Sequence, residues 1–304
     1  MTRPIIPPYL KDGSRIGICS TARKVTEAEV AQVADMLRSA GFEVVLLDGL
    51  YAEQDQFAGS DEHRAALFQQ LLDDSTIDAI LFARGGYGTV RMIDMIDWTG
   101  LMQRPKWLCG FSDVTVVHAH VQRVLGMATL HSDMIPQFIK KGSGNASFAS
   151  LVQALRGNPV RVETTAHDLN VRGTGRGPLV GGNLSILYSL LGSPSDMDTD
   201  GCILFIEDLD EYLYHIDRMM MNMVRNGRLR NLAGLVVGGM SEMHDNPIPF
   251  GKDAVQIIHS HAKDLGIPVC FGMPIGHIDP SLAVVCGMDY EIRVDGTGAF
   301  LTPV

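Results

Sequence analysis

Long apolar runs are missing from this sequence. The opening MTRPIIPPYLKDG offers only a short apolar stretch broken by prolines, too brief for a membrane span or the core of a signal peptide, so a cytoplasmic chain is expected. Basic residues are also in deficit: 25 Lys and Arg against 35 Asp and Glu leave a net charge of −10. Nucleic acid and anionic membranes attract a basic face, so neither is an expected partner, and a small ligand fits better. Cysteines are few and scattered, at Cys19, Cys109, Cys202, Cys270 and Cys286. An odd number of well-separated cysteines in apolar runs reads as reduced core thiols. Without a CxxC pair there is no zinc ribbon.

What is present is enough hydrophobic residue, 46% of 304, to bury one large or two medium domains. The first half alternates apolar runs with helical patterns: RIGICS, TEAEVAQVADMLRSAG, FEVVLLD, DEHRAALFQQLLDD and DAILFA, then KWLCGF and MATLH. That rhythm predicts a parallel sheet with crossover helices. Val30, Val33, Ala34, Leu37 and Ala40 recur at helical steps, and Gly41 stands where a C-cap belongs. From about Gly142 to Gly177 the pattern weakens into KGSGNAS and NVRGTGRG, which reads as loops or an interdomain connection. The expected division is therefore 1–167 and 168–304. The second half has its own strand patterns in CILFIED, GLVVGG, PVCFG, AVVCG and YEIRV, with helical patterns between the earlier ones.

KWLCGFSDVTVVHAHV carries the most chemistry, because an apolar strand runs into Gly-Phe-Ser-Asp and then into a helix. Ser112 at that turn would project its hydroxyl from the carboxyl edge of a sheet, beside the Asp113 N–H and the positive end of a helix. A helix N-cap serine is the competing reading, and Val114 replaces the second glycine of G-x-S-x-G. RGGYG at 84–88 follows DAILFA at the same edge. Its Gly86 N–H could complete an oxyanion hole with that of Asp113, although a plain tight turn has the same composition. The strand CILFIED ends in Glu207 and Asp208, with Asp210 and Glu211 after it; one of these acids could orient a histidine, or all could be a solvated turn. PIGHIDP holds His277 in a loop where a base could be accessible. His118 and His120, two apart on a helix, diverge and cannot share an ion, so no metal is expected. Cys109 lies inside its strand, a poor place for a nucleophile. Met219, Met220, Met221 and Met223 suggest core or subunit interface.

The motifs RGGYG, GFSD, GGNLS, FIED and PIGH, in that order and joined by FAGSDEHRAALFQQLLDD, resemble the serine LD-carboxypeptidases of murein recycling and their relatives that inactivate microcin-type peptidyl nucleotides. The resemblance implies Ser112 as nucleophile, Glu207 as triad acid and His277 as base. It also implies an α/β fold: an N-terminal parallel-sheet, flavodoxin-like domain and a C-terminal α/β domain with a mixed sheet, the site spanning the cleft. The implied reaction releases the terminal D-alanine of a murein tetrapeptide by hydrolysing an L,D-amide bond in peptidoglycan recycling, without cofactor, in a homodimer.

Two other readings remain at this point. One is an amidase acting on peptidyl or aminoacyl nucleotides with the same triad. A nucleobase would favour an aromatic stacking partner, yet Trp98 and Trp107 precede the nucleophile and Phe148 is the sole aromatic in 142–177; Tyr212 or Tyr214 could still reach the cleft. The other is a two-domain ligand-binding protein without catalysis.

Overall fold

The computed structural model describes residues 4–142 and 144–304. Residues 1–3 and Ser143, which fall within MTRPIIPPYLKDG and KGSGNAS, lie outside the described residues. Among the described residues, thirteen strands form two sheets: β1 (Arg15–Cys19), β2 (Glu43–Leu46), β3 (Ala79–Phe82), β4 (Trp107–Gly110), β5 (Thr129–His131), β6 (Val162–Thr165), β7 (Gly173–Asn183), β8 (Ile203–Leu209), β9 (Gly234–Ser241), β10 (Val269–Cys270), β11 (Val284–Cys286), β12 (Asp289–Val294) and β13 (Gly298–Pro303). The first sheet has the order β11-β5-β4-β3-β1-β2. Strands β1 to β5 are parallel, in the doubly wound 2-1-3-4-5 order of flavodoxin-like folds, and β11 is antiparallel at the edge. The second sheet, β10-β9-β8-β7-β12-β13-β6, is mixed: parallel from β10 to β7, antiparallel beyond.

The helix Glu27–Ser39 shows how local sequence builds the first sheet's cover. Thr26 and Glu29 form a reciprocal capping box, and Ala40 ends the helix before Gly41 turns the chain at φ 93°. Val30, Val33, Ala34 and Leu37 are fully buried, each valine or leucine contributing about 1.5–3 kcal/mol by leaving water. Among the described residues no helix is long and apolar enough to cross a membrane.

Three sequence expectations differ from the structure. The stretch 142–177 is more ordered than its composition suggests: it contains the helix Ala146–Leu155, N-capped by Asn145, then β6 and the start of β7. AVVCG, read as a strand of the second half, is β11 of the first sheet. Conversely, β6 precedes residue 168 yet pairs with β13 of the second sheet. Two glycines of NVRGTGRG, Gly175 and Gly177, are strand glycines placed where backbone approaches closely. A Cβ on Gly175 would lie 1.8 Å from the Ala233 carbonyl oxygen, and one on Gly177 2.2 Å from that of Gly201.

One apolar cluster crosses between the two sheets. Phe111, Val114, Val116 and Val117 of the segment after β4 pack in the same core as Val180, Leu184, Leu204 and Ile206 around β7 and β8. The turn that ends β4 is thus fixed against the second sheet.

Gly175→Ala should lower the melting temperature by several degrees, because the added methyl must displace backbone at a cost of about 1–3 kcal/mol. Gly296→Ala, whose Cβ would meet nothing nearer than Arg172 at 3.6 Å, should melt close to the parent. Equal melting of both variants in a thermal scan would contradict the close approach.

Candidate active site

Ser112 follows β4 with φ 60°, in the left-handed region that only glycine enters without strain. Such a conformation costs about 1–3 kcal/mol and persists only where surroundings enforce it. Enforcement comes from its neighbours: Phe111 and Asp113 are buried, and the Val114 N–H donates to the Phe111 carbonyl at 3.1 Å. The N-cap alternative finds no support, since no side chain caps either the 3₁₀ turn Ser112–Val114 or the helix Thr115–His120. The hydroxyl is left at the carboxyl edge of the sheet, partly exposed.

The glycine loop lies directly against it. A Cβ on Gly85 would sit 3.1 Å from Ser112 Oγ, whereas Gly86, at φ 109°, faces the Arg23 side chain. Asp113 joins the two turns: its Oδ2 accepts the Thr89 N–H at 2.9 Å, at the start of the short helix after the loop. Arg64, buried, donates to the Gly88 carbonyl at 3.0 Å and to that of Thr21. Among the described residues, the N–H groups of Gly86 and Asp113 are not drawn into turn or side-chain hydrogen bonds.

Glu207 and His277 meet from different directions. Glu207, near the end of β8, is completely buried, and its Oε2 accepts both the His277 Nδ1–H at 2.6 Å and the His277 backbone N–H at 3.1 Å. Nδ1 is thereby committed, which leaves Nε2 for other work. The imidazole, 11% exposed, packs on the Phe111 ring with centroids 4.6 Å apart, which sets it beside the residue preceding Ser112. The His277 loop closes on β9 because glycines make room. A Cβ on Gly276 would lie 2.3 Å from Glu207 Cγ, and one on Gly239 2.8 Å from the His277 carbonyl oxygen. Ser281 Oγ accepts the Gly276 N–H at 3.0 Å, Ser147 Oγ accepts that of Ser281 at 3.1 Å, and Ser241 Oγ donates to the His277 carbonyl.

The other acids are occupied elsewhere. Asp208 points away from Glu207, its oxygens accepting Asn183 Nδ2–H at 2.8 Å and the Ser185 and Leu209 N–H groups at 2.9 Å. Burial and the neighbouring Glu207 push its pKa up to about 7 against those three donors. Asp208 thus fastens GGNLS, whose Asn183 N–H reaches Thr115 Oγ1 at 3.0 Å and ties β7 to the helix after the Ser112 turn. Asp210 pairs with His244, and Glu211 Oε2 with His215 Nδ1 at 2.6 Å. Cys109 is buried, and burial pushes its thiol far up. His118 and His120 hold different partners: His118 lies between Thr129 Oγ1 and the Gly110 carbonyl, His120 against Ser195 Oγ. Met219, Met220 and Met223 are buried and Met221 is exposed. Among the described residues no cluster of three or more potential ligands could hold a metal ion.

Sequence reasoning passed over His131, at the end of β5, whose side chain is fully buried with Nε2 3.9 Å from Glu207 Oε1. The available signal was a polar residue closing MATLH at the same carboxyl edge as Ser112.

Residues 16–132 match the family description "LD-carboxypeptidase N-terminal domain" and residues 176–292 match "LD-carboxypeptidase C-terminal domain". A "Probable murein peptide carboxypeptidase" of Bacillus subtilis (strain 168) is 32% identical, over 92% of this chain and 89% of that protein. The structure of a muramoyltetrapeptide carboxypeptidase from Oxalobacter formigenes is similar with a TM-score of 0.86 at 25% identity, covering 95% of this chain and all of that one. MccF in complex with glutamyl sulfamoyl guanosine shares the fold, with a TM-score of 0.86 at 19% identity and 99% coverage of both chains. The chain belongs to the LD-carboxypeptidase family, as a serine-type carboxypeptidase. Its fold is the two-part α/β arrangement of that family.

The electrostatics give a pH signature. Burial alone would lower the His277 pKa, but Glu207, hydrogen-bonded to it, outweighs burial with help from Asp208 and Asp133, and the net shift is upward from 6.5. Burial would likewise raise Glu207, but the His277 and His131 rings beside it hold it below the usual carboxylate range. A histidine acting as base must be neutral, so kcat/KM should fall on the acid side with a midpoint above 6.5. Glu207→Gln removes the raising charge and leaves burial, so the midpoint should move to lower pH while the rate drops on the order of 10⁴-fold. Glu211→Gln should change neither. An unmoved acid limb in a folded Glu207→Gln variant would contradict the coupling.

Proposed function

We propose that this chain hydrolyses the L,D-amide bond that releases terminal D-alanine from murein tetrapeptides, with Ser112 as nucleophile, His277 as general base and Glu207 as the acid that orients it. The observation that carries this reading is the 2.6 Å contact between His277 Nδ1 and Glu207 Oε2, which leaves Nε2 free on a ring packed against Phe111, the residue before the left-handed Ser112. The Bacillus and Oxalobacter relatives, a probable murein peptide carboxypeptidase and a muramoyltetrapeptide carboxypeptidase, support the substrate.

The chemistry follows from the parts. His277 Nε2 takes the Ser112 hydroxyl proton as Oγ attacks the scissile carbonyl carbon. The oxygen, now negative, accepts hydrogen bonds from the Gly86 and Asp113 N–H groups. Imidazolium, stabilised by the buried Glu207 carboxylate, returns the proton to the departing amine of D-alanine. Water then attacks the acyl-serine with His277 again as base, and Ser112 regains its proton. A homodimer in the cytoplasm belongs to the same reading. Half-exposed Tyr214, Met221 and Val224, on the single helix Leu213–Arg225, supply apolar surface for a partner.

The test is product analysis by mass spectrometry after incubation with murein tetrapeptide and, separately, with a peptidyl adenylate. Release of D-alanine from the tetrapeptide is expected; turnover of the adenylate alone would replace this substrate with a peptidyl nucleotide. Ser112→Ala should keep the fold and peptide binding while hydrolysis falls on the order of 10⁴- to 10⁶-fold. A variant that melted lower but hydrolysed at the parent rate would make Ser112 a structural residue.

A further inference from the structure

The Glu207 carboxylate has two oxygens, and the triad uses one. Oε2 accepts both bonds from His277, whereas Oε1, with no exposed surface, has no partner among the described residues. A buried carboxylate oxygen left without a donor is costly, and far more so when the group must carry full charge. A second histidine, His131, has its Nε2 3.9 Å from Oε1. Its two ring nitrogens are also buried and also without partners among the described residues. The ring is held from several sides: edge-to-face on Phe205 with centroids 5.0 Å apart, edge-to-face on Phe111 at 5.9 Å, and beside His118 at 6.1 Å. Phe111 also carries His277, so a single aromatic ring backs both histidines that flank Glu207. A buried carboxylate oxygen and a buried imidazole nitrogen, each without another partner among the described residues, gain by closing the remaining gap.

We propose that His131 is a positioning residue for the triad acid: its Nε2–H holds Glu207 Oε1, so that the carboxylate is gripped at both oxygens, by His277 on one and by His131 on the other. His131 touches no substrate; it acts by fixing the angle at which Glu207 presents Oε2 to His277. The inference rests on the reading of Ser112, Glu207 and His277 as a triad.

Two measurements test it. In the parent protein, ¹⁵N shifts of the His131 ring report which nitrogen bears the proton. An Nε2–H tautomer is expected, and an Nδ1–H tautomer, which could not donate to Glu207, would overturn the proposal whether or not any variant folds. The second compares His131→Phe, which fits the aromatic surroundings but donates nothing, with His131→Gln, whose amide nitrogen reaches about as far as Nε2. Expected in His131→Phe are a kcat loss on the order of 10²-fold, the scale of a misplaced catalytic group, an unchanged KM, and a displaced far-downfield proton resonance of the His277–Glu207 bond. His131→Gln should recover much of the rate. The rate of Ser112 labelling by a serine-directed phosphonate should follow the same order without depending on the substrate chosen. A folded His131→Phe variant with parental kcat and labelling, or equal losses in both variants, would overturn the role of His131 while leaving the triad in place. Failure of the parent to label at Ser112 would overturn both.

Discussion

Glu207 is a carboxylate with no exposed surface, and keeping it charged is the constraint around which the site is arranged. A buried charge survives only when paired and hydrogen-bonded. Here the partner comes from a loop some seventy residues downstream in sequence, and the packing that delivers it is tight enough to demand glycine at three places. Gly276 lies against Glu207 itself, while Gly238 and Gly239 of β9 lie under the loop carbonyls of Ile275 and His277. Any side chain at these positions would lift His277 away from the acid. Glycines that look like loop punctuation in PIGH and GLVVGG are therefore contacts of the Glu207–His277 pair.

The route of the chain explains how Glu207 and His277, on the second half of the sequence, reach the sheet edge that carries Ser112. After β10 in the second sheet, the chain passes through His277 and enters β11 of the first sheet, where Val284 pairs with His131 at the carboxyl end of β5. Because β11 runs antiparallel, its beginning lies at the edge where β4 delivers Ser112. Residues 278–283 form the bridge, and Ser147 and Ser150 of the neighbouring helix accept the N–H groups of Ser281 and Ala283. On the other side, Asn183 and Thr115 join the end of β7 to the helix that follows Ser112. Two crossings between the halves, one covalent and one hydrogen-bonded, hold the edge together.

Much of this was legible in the sequence because its signals are local. A buried parallel strand is an apolar run, and β1, β3, β4 and β8 all read as such. Ser112 stood out at a strand-to-helix turn, and Glu207 at the end of an apolar strand, without any knowledge of what each would touch. The contact between Glu207 and His277 had no local signal and came only through family resemblance. Illegible features share one cause, the absence of periodic apolar residues where tertiary packing decides. The glycines of β7 weaken a strand pattern precluding side chains because neighbouring carbonyls occupy that space. Ala146–Leu155 carries serines inward, at Ser147 and Ser150, where they cap the backbone bridge rather than face water. His131 escaped notice because a single histidine at the end of a three-residue strand is unremarkable until Glu207 is placed beside it.

In the proposed site, one sheet edge gathers Ser112, the Gly86 and Asp113 N–H groups, and a His277 held by buried Glu207. The most direct measurement is a crystal structure of the protein inactivated by a serine-directed phosphonate. Expected are phosphorus bonded to Ser112 Oγ, the phosphoryl oxygen on the N–H groups of Gly86 and Asp113, and His277 Nε2 facing the adduct while Nδ1 stays on Glu207. Phosphorus on another residue, or a His277 ring turned away from Glu207 into solvent, would contradict it.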